Sequence, residues 1–216
     1  MTDAKTIDSK NPASPRDVRK GRKYDQVISG AQDVFLRDGF EGASVDDIAR
    51  SAGVSKATLY SYFPDKRLLF MECACLQCNE LAQDALGSLD FSRPPREVLA
   101  IAAHKMIEFM LSDQGQQIFR ICVAEAYRFP ELGQEFYQSG PVVVHDALMS
   151  YLKIAQQRGE IVGDDLDLAA DQFAELCKCD LWPKLLFRQQ TEFSAAERNR
   201  IVDGALDTFM ARYGAK

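Results

Sequence analysis

Three chain breakers set the local possibilities early in this sequence. Gly39, Gly53 and Pro64 are spaced so that only two short helices fit between the first and the last. Ahead of Gly39, the residues Tyr24, Val27, Ile28, Ala31, Val34 and Phe35 recur at helical spacing, and glycine is a natural left-handed terminator for such a helix. Ser44-Val-Asp-Asp47 reads as a capping-box-like start, with Ile48, Ala49 and Ala52 as the buried face of a second helix ended by Gly53. Ser55 caps a third. Pro64 stops it, because the residue before proline is pushed out of helical geometry, and Asp65 can cap a long fourth helix to about Leu86.

Two short helices meeting across a tight glycine turn are the pattern of a helix-turn-helix, in which the second helix presents its first residues to base edges. In that second helix Leu59 and Phe63 lie one turn apart and point inward, so Lys56, Ala57, Thr58, Ser61 and Tyr62 turn elsewhere, with Tyr60 at the edge of the arc. Lys56 and Lys66 suit phosphates. The Thr58 and Tyr60 hydroxyls can bond phosphate oxygens or base edges, and Ala57 with the Thr58 methyl can touch a thymine methyl. Ser44 offers amides and a hydroxyl to a phosphate. The formal charge of −6 argues against a nucleic-acid partner until it is divided. Residues 1–70 carry 12 basic and 10 acidic side chains, whereas residues 71–216 carry 14 and 22, so only the first third suits phosphates. Residues 1–23 hold seven basic and three acidic residues, a tail suited to a DNA backbone.

Residues 1–17, with Pro12 and Pro15 among polar residues, lack periodicity and are expected to be a disordered arm. Residues 18–66 form the expected DNA-binding domain and 67–216 a second, helical-bundle domain. Helices are expected over Arg96 to Leu111, Gln114 to Arg128 with Asp113 as cap, a short turn from Pro130 to Gln138, and a helix launched by Gly140-Pro141 and ended by Gly159. Asp167 to about Gln189 is apolar on almost every side, which predicts burial against both the core and a partner chain, with a kink at Pro183. The last helix opens with Ser194-Ala-Ala-Glu197 and carries a wide apolar stripe from Ile201 to Tyr213, suited to a helix-bundle interface. No segment alternates as a half-buried strand does, so the expected class is all-α.

No apolar run is long enough to cross a bilayer and the N-terminus is polar, which predicts a cytoplasmic protein without a membrane partner. In that compartment six cysteines read as small buried hydrophobes. Cys73, Cys75 and Cys78 spread around a helix axis and Cys177 and Cys179 diverge, so no metal ligand set is expected. A redox- or metal-responsive regulator is the first rival reading. A helical enzyme is weaker, since His104 and His145 sit in no nucleophile-base or metal spacing, no glycine-rich phosphate loop is present, and no cofactor is expected.

The run Phe35-Leu-Arg-Asp-Gly-Phe40, then Ser44-Val-Asp-Asp-Ile-Ala49, then Gly53 through Lys66 followed by Leu68-Leu-Phe70, resembles the DNA-binding domain of the tetracycline-repressor (TetR) family. Phe119-Arg-Ile-Cys-Val-Ala-Glu-Ala-Tyr-Arg-Phe-Pro-Glu-Leu132 with Phe136-Tyr-Gln-Ser-Gly-Pro141 resembles the C-terminal domain of its AefR/AcrR-like branch. The resemblance implies an all-helical homodimer of nine or ten helices per chain, with a three-helix head and a ligand-binding and dimerisation domain joined through the C-terminal two helices. It implies a dimeric repressor of a palindromic operator, released by a small-molecule effector, with the fourth helix as mechanical link. By position, backbone contacts fall on Ser44, Tyr60 and Lys66, and base-facing positions on Lys56, Ala57, Thr58, Ser61 and Tyr62, beside the cap Ser55. Ser61 departs from the larger residue common there, which weakens its claim to a base contact. The implied effector cavity lies within residues 71–190, where His104, Phe109, Met110, Glu125, Tyr127 and Trp182 are candidate liners.

Overall fold

In the computed structural model, which describes residues 21–87 and 89–216, Gly53 and Pro64 fall just beyond helix ends, and Gly39 breaks the first helix near its end. The described residues form α1 (Arg22–Gly42), α2 (Val45–Ser51), α3 (Lys56–Tyr62), α4 (Lys66–Gly87), α5 (Pro95–Leu111), α6 (Asp113–Glu125), α7 (Pro130–Ser139), α8 (Pro141–Gln157), α9 (Leu166–Leu176), α10 (Leu181–Leu186) and α11 (Ala195–Tyr213). Their one β feature is an isolated antiparallel bridge between Ile161 and Gly214, so the all-α class holds. Taking α9 and α10 as one broken helix gives ten. Among these residues no helix is long and apolar enough to cross a membrane. The expected arm, residues 1–17, and residues 18–20 lie outside the described residues.

Contacts divide the chain into two units, one ending at Phe70 and the other beginning at Met71, where the sequence reading put the boundary after residue 66. The first turn of α4 belongs with the head because the Phe70 ring meets Phe35 at 5.0 Å and Phe40 at 5.1 Å, both edge-on. Within the head, α1 buries Tyr24, Val27, Ile28, Ala31, Val34 and Phe35, and its course breaks at Gly39, which adopts φ 69°. Gly53, at φ 63°, makes the turn between α2 and α3. Both positions need the left-handed backbone that glycine adopts without a Cβ clash.

In the second unit α5, α8, α9 and α11 enclose a core of which Leu99, Ile107, Tyr151, Leu152, Phe173 and Phe209 are fully buried members. Helix α6 is capped by Ser112, whose hydroxyl accepts from the Gly115 amide at 3.0 Å; the expected cap, Asp113, is the first helical residue instead. The expected single helix from Asp167 to Gln189 is broken at Cys177–Asp180, ahead of Pro183. Asp180 takes φ 62° there, and Pro183 then sits in the first turn of α10, where its missing N–H has no helical acceptor to lose. Cys73, Cys78, Cys122 and Cys177 are buried, and burial pushes each thiol up to about 12. They serve as packing groups, the Cys122 thiol resting 3.5 Å from the Met71 sulfur.

Helix α11 opens with the expected capping box: Ser194 Oγ accepts from the Glu197 amide, and Glu197 Oε2 accepts from the Ser194 amide at 2.8 Å. The Gln190 side-chain amide, then the Ser194 amide and hydroxyl, hold the Glu197 carboxyl down at about 2 from an ordinary 4.5. A depressed acid stabilises the fold above its unfolded value and loses that contribution as pH falls through the folded one. Glu197→Gln should therefore flatten the loss of thermal stability between about pH 4.5 and about pH 2. Thermal midpoints of parent and variant across that window check this; parallel curves would refute it.

Candidate nucleic-acid interface

The proposed reading helix is assembled from its cap inward. Ser55 Oγ accepts from the Thr58 amide at 3.1 Å and lies 2.9 Å from the Thr58 hydroxyl, which fixes the first turn of α3. Leu59, 1 % exposed, and Phe63, 8 % exposed, anchor the helix inward as their spacing predicted. Ser55, Lys56, Ala57, Tyr60 and Ser61 are exposed, and Thr58 and Tyr62 half-buried. The expected arc is thus presented to solvent along one short helix.

Several side chains are differently engaged than their types suggested. Tyr62 packs edge-on against Tyr24, ring centroids 6.0 Å apart, because α1 passes beside the end of α3; only part of its surface stays available. The Ser61 hydroxyl donates to the Thr58 carbonyl at 2.6 Å, so it bonds back onto its own helix. Ser44 caps α2: its oxygen accepts from the Asp47 amide at 3.1 Å and its proton goes to the Asp47 carboxylate at 2.6 Å. With Arg50 also bound at 2.6 Å, Ser44 first and Arg50 second hold the Asp47 carboxyl below its usual range.

Lys66 is the largest departure. Its ammonium donates to the Phe40 carbonyl at 2.7 Å and the Ala43 carbonyl at 2.9 Å, and it lies 4.5 Å from the centre of the Phe40 ring. Gly39 breaks α1 and leaves carbonyls beyond it without helical donors, and a cation is the natural partner at a helix C-terminus. Of three ammonium protons, one remains for a phosphate. Sequence reasoning also missed Asp46, whose carboxylate forms an ion pair with Lys56, and Tyr24, which supports Tyr62. Asp46 and Asp47 both stand in the first turn of α2, and nothing in their spacing tells which reaches across to α3.

The candidate effector liners do not converge. Tyr127 is 99 % exposed, in the loop that follows α6, and His104 is exposed on α5, so neither lines an enclosed cavity in a single chain. Phe109, Met110 and Glu125 are half-buried, Met110 against the core of the second unit. Trp182 is half-buried, with Phe119 edge-on at 4.6 Å and Phe136 a further 6.2 Å from Phe119, two aromatic companions the spacing could not identify. Among the described residues no group of three or more His, Cys, Asp or Glu is arranged to hold a metal ion.

Residues 27–73 match the model of bacterial regulatory proteins of the tetR family, and residues 97–215 that of the AefR-like transcriptional repressor C-terminal domain. A TetR-family transcriptional regulator from Mesorhizobium loti is 29 % identical in a structural match covering 92 % of this chain and all of that one, with a TM-score of 0.74. The flavonoid-responsive regulator FrrA is 34 % identical, covering 90 % of this chain and 98 % of that one, with a TM-score of 0.70. The transcriptional activator FasR of Mycolicibacterium smegmatis is 31 % identical over 48 % of this chain and 46 % of its own length. The chain spans about half the length of the first curated relatives it matches. A helix-turn-helix head, a helical body matched to a family C-terminal domain and near-complete coverage of FrrA agree: the chain belongs to the tetR family of DNA-binding transcriptional regulators.

Proposed function

We propose that the protein is a repressor that binds a palindromic operator as a dimer and is released by a small-molecule effector. The observation that carries the DNA part is α3 itself, a capped helix with Leu59 and Phe63 turned inward and Lys56, Ala57, Tyr60 and Ser61 exposed. Lys56, Ala57, Thr58 and Tyr62 read bases, with Ser61 contributing little because its hydroxyl is bonded to its own helix. Tyr60 contacts the backbone, joined by the remaining proton of Lys66, while the Ser44 hydroxyl, already donated to Asp47, contributes through the start of α2 that it caps. Exposed apolar groups near the C-terminal helices, Leu168, Leu186 and Phe187, support pairing of two chains there. Two heads would then face half-sites about one helical turn apart, ~34 Å.

The effector part rests on family and on FrrA, whose name marks it as flavonoid-responsive. A flat phenolic molecule suits the edge-on set of Phe119, Trp182 and Phe136, since aromatic ligands favour offset and edge-on ring contacts. Binding that prefers one head spacing shifts the population toward it and releases DNA if that spacing misses the half-sites.

Selection from a random duplex library should return a palindrome, and anisotropy with that duplex should show release on adding a flavonoid such as naringenin. Thr58→Ala or Tyr62→Ala should shift preference at particular base pairs by ~1–3 kcal/mol, while leaving others unchanged. Recovery of no preferred sequence would remove the repressor reading, and a duplex held equally with and without flavonoid would remove the effector class.

A further inference from the structure

Two acids open α2, and the head disposes of them differently. Asp47 is absorbed by its own helix, between Ser44 and Arg50. Asp46 instead reaches across to α3 and pairs with Lys56, both side chains remaining 57 % exposed. A carboxylate on a surface that approaches phosphates is electrostatically unfavourable, and this head has little positive charge to spare: residues 1–70 carry only two more basic than acidic side chains. Its presence there calls for a compensating role.

We propose that Asp46 is a positioning residue for sequence discrimination, holding the Lys56 ammonium on the α3 surface and away from phosphates. Lysine is a flexible point charge on a four-carbon stem, able to swing to whichever anion is nearest. Unrestrained, Lys56 neutralises a phosphate on any duplex and adds equally to specific and non-specific binding. Tethered by Asp46, it is directed to an acceptor at a base edge, such as guanine O6 or N7, and gains only where that base is present. The pair therefore lowers affinity for random DNA more than for the preferred site. This inference rests on α3 being the groove-facing helix.

The test is a four-protein cycle of parent, Asp46→Asn, Lys56→Ala and the double variant, binding a random-sequence 30-base-pair duplex by anisotropy between 50 and 300 mM salt. Asp46→Asn keeps the side-chain volume at an exposed site, and Asp46→Glu, which keeps the charge, should behave as the parent. Freed to contact a phosphate, Lys56 should steepen the slope of log affinity against log salt by about 0.9. Affinity for the random duplex at the lowest salt should rise up to about fivefold, the scale of an exposed ion pair. In the Lys56→Ala background, Asp46→Asn should leave the slope unchanged. A slope that does not move in Asp46→Asn, although Lys56→Ala weakens binding, overturns the tether. So does an equal steepening in both backgrounds, which marks simple removal of a repelling charge. If Lys56→Ala changes binding neither to the random duplex nor to one enriched by selection, the assignment of α3 itself fails, a result separable from the other two.

Discussion

Gly30→Ala should unfold or displace the helix-turn-helix while leaving the body's core residues untouched. A Cβ at residue 30 would stand 2.4 Å from the Ala52 nitrogen, 2.6 Å from its Cα and 2.7 Å from its Cβ. The obstacle is backbone, so no rotamer change relieves it; α1 and the end of α2 must separate. Overpacking of this kind costs ~1–3 kcal/mol and occasionally more. The gain from replacing glycine by alanine inside a helix, ~1 kcal/mol, opposes it without matching a clash with main chain. Because Ala52 leads straight into the Gly53 turn, a shift there reorients α3, and DNA binding should fall with stability. Amide exchange across residues 44–63 together with anisotropy checks both effects. A variant as protected and as tightly bound as the parent would show that the two helices can part at no cost.

Phe173→Ala should be the most damaging single truncation in the body. The Phe173 side chain is completely buried, and its ring meets Phe209 of α11 edge-on at 5.2 Å. Removing such a ring costs ~3–5 kcal/mol, the transfer of the lost atoms plus the cavity left behind. Against a domain stability of ~5–15 kcal/mol this is a large share. The urea midpoint should drop with the slope of the transition unchanged, and Phe173→Leu, which fills more of the space, should recover part of the loss. A loss below about 1 kcal/mol would mean the site collapses around the truncation, contrary to the packing of α9 between its neighbours.

What could be read from the sequence was what neighbouring residues decide. The left-handed turns at Gly39 and Gly53, the caps at Ser44, Ser55 and Ser194, and the inward pair Leu59 and Phe63 all depend on residues within a turn or two. Ser112 and Asp113 stand side by side as equally good caps, and only the fold decides between them. Pro183 was a misleading signal, because proline kinks a helix interior but fits a first turn, and the true break comes from Asp180 in a backbone region most side chains avoid. The engagement of Lys66 with carbonyls 23 and 26 residues away, and of Tyr62 with Tyr24, requires knowing where chain segments return to one another. The candidate effector liners met the same gap: Tyr127 and His104 face outward, while Phe119 and Phe136, which helical spacing alone does not single out, carry the ring contacts around Trp182.

The Lys66 ammonium also closes a loop. From Phe40 round to Lys66 the chain leaves α1, passes through α2 and α3, and is fastened back to its starting point. The outer ends of the two short helices are thereby tied to one another, so opening of either is coupled to the other, as in the cooperative units seen by hydrogen exchange. Helix α3, the proposed reading helix, has seven residues and is too short to persist by itself in water. Fastened in this way it would meet DNA already ordered on the proposed function, with the entropy of shaping the surface settled during folding instead of at the moment of binding.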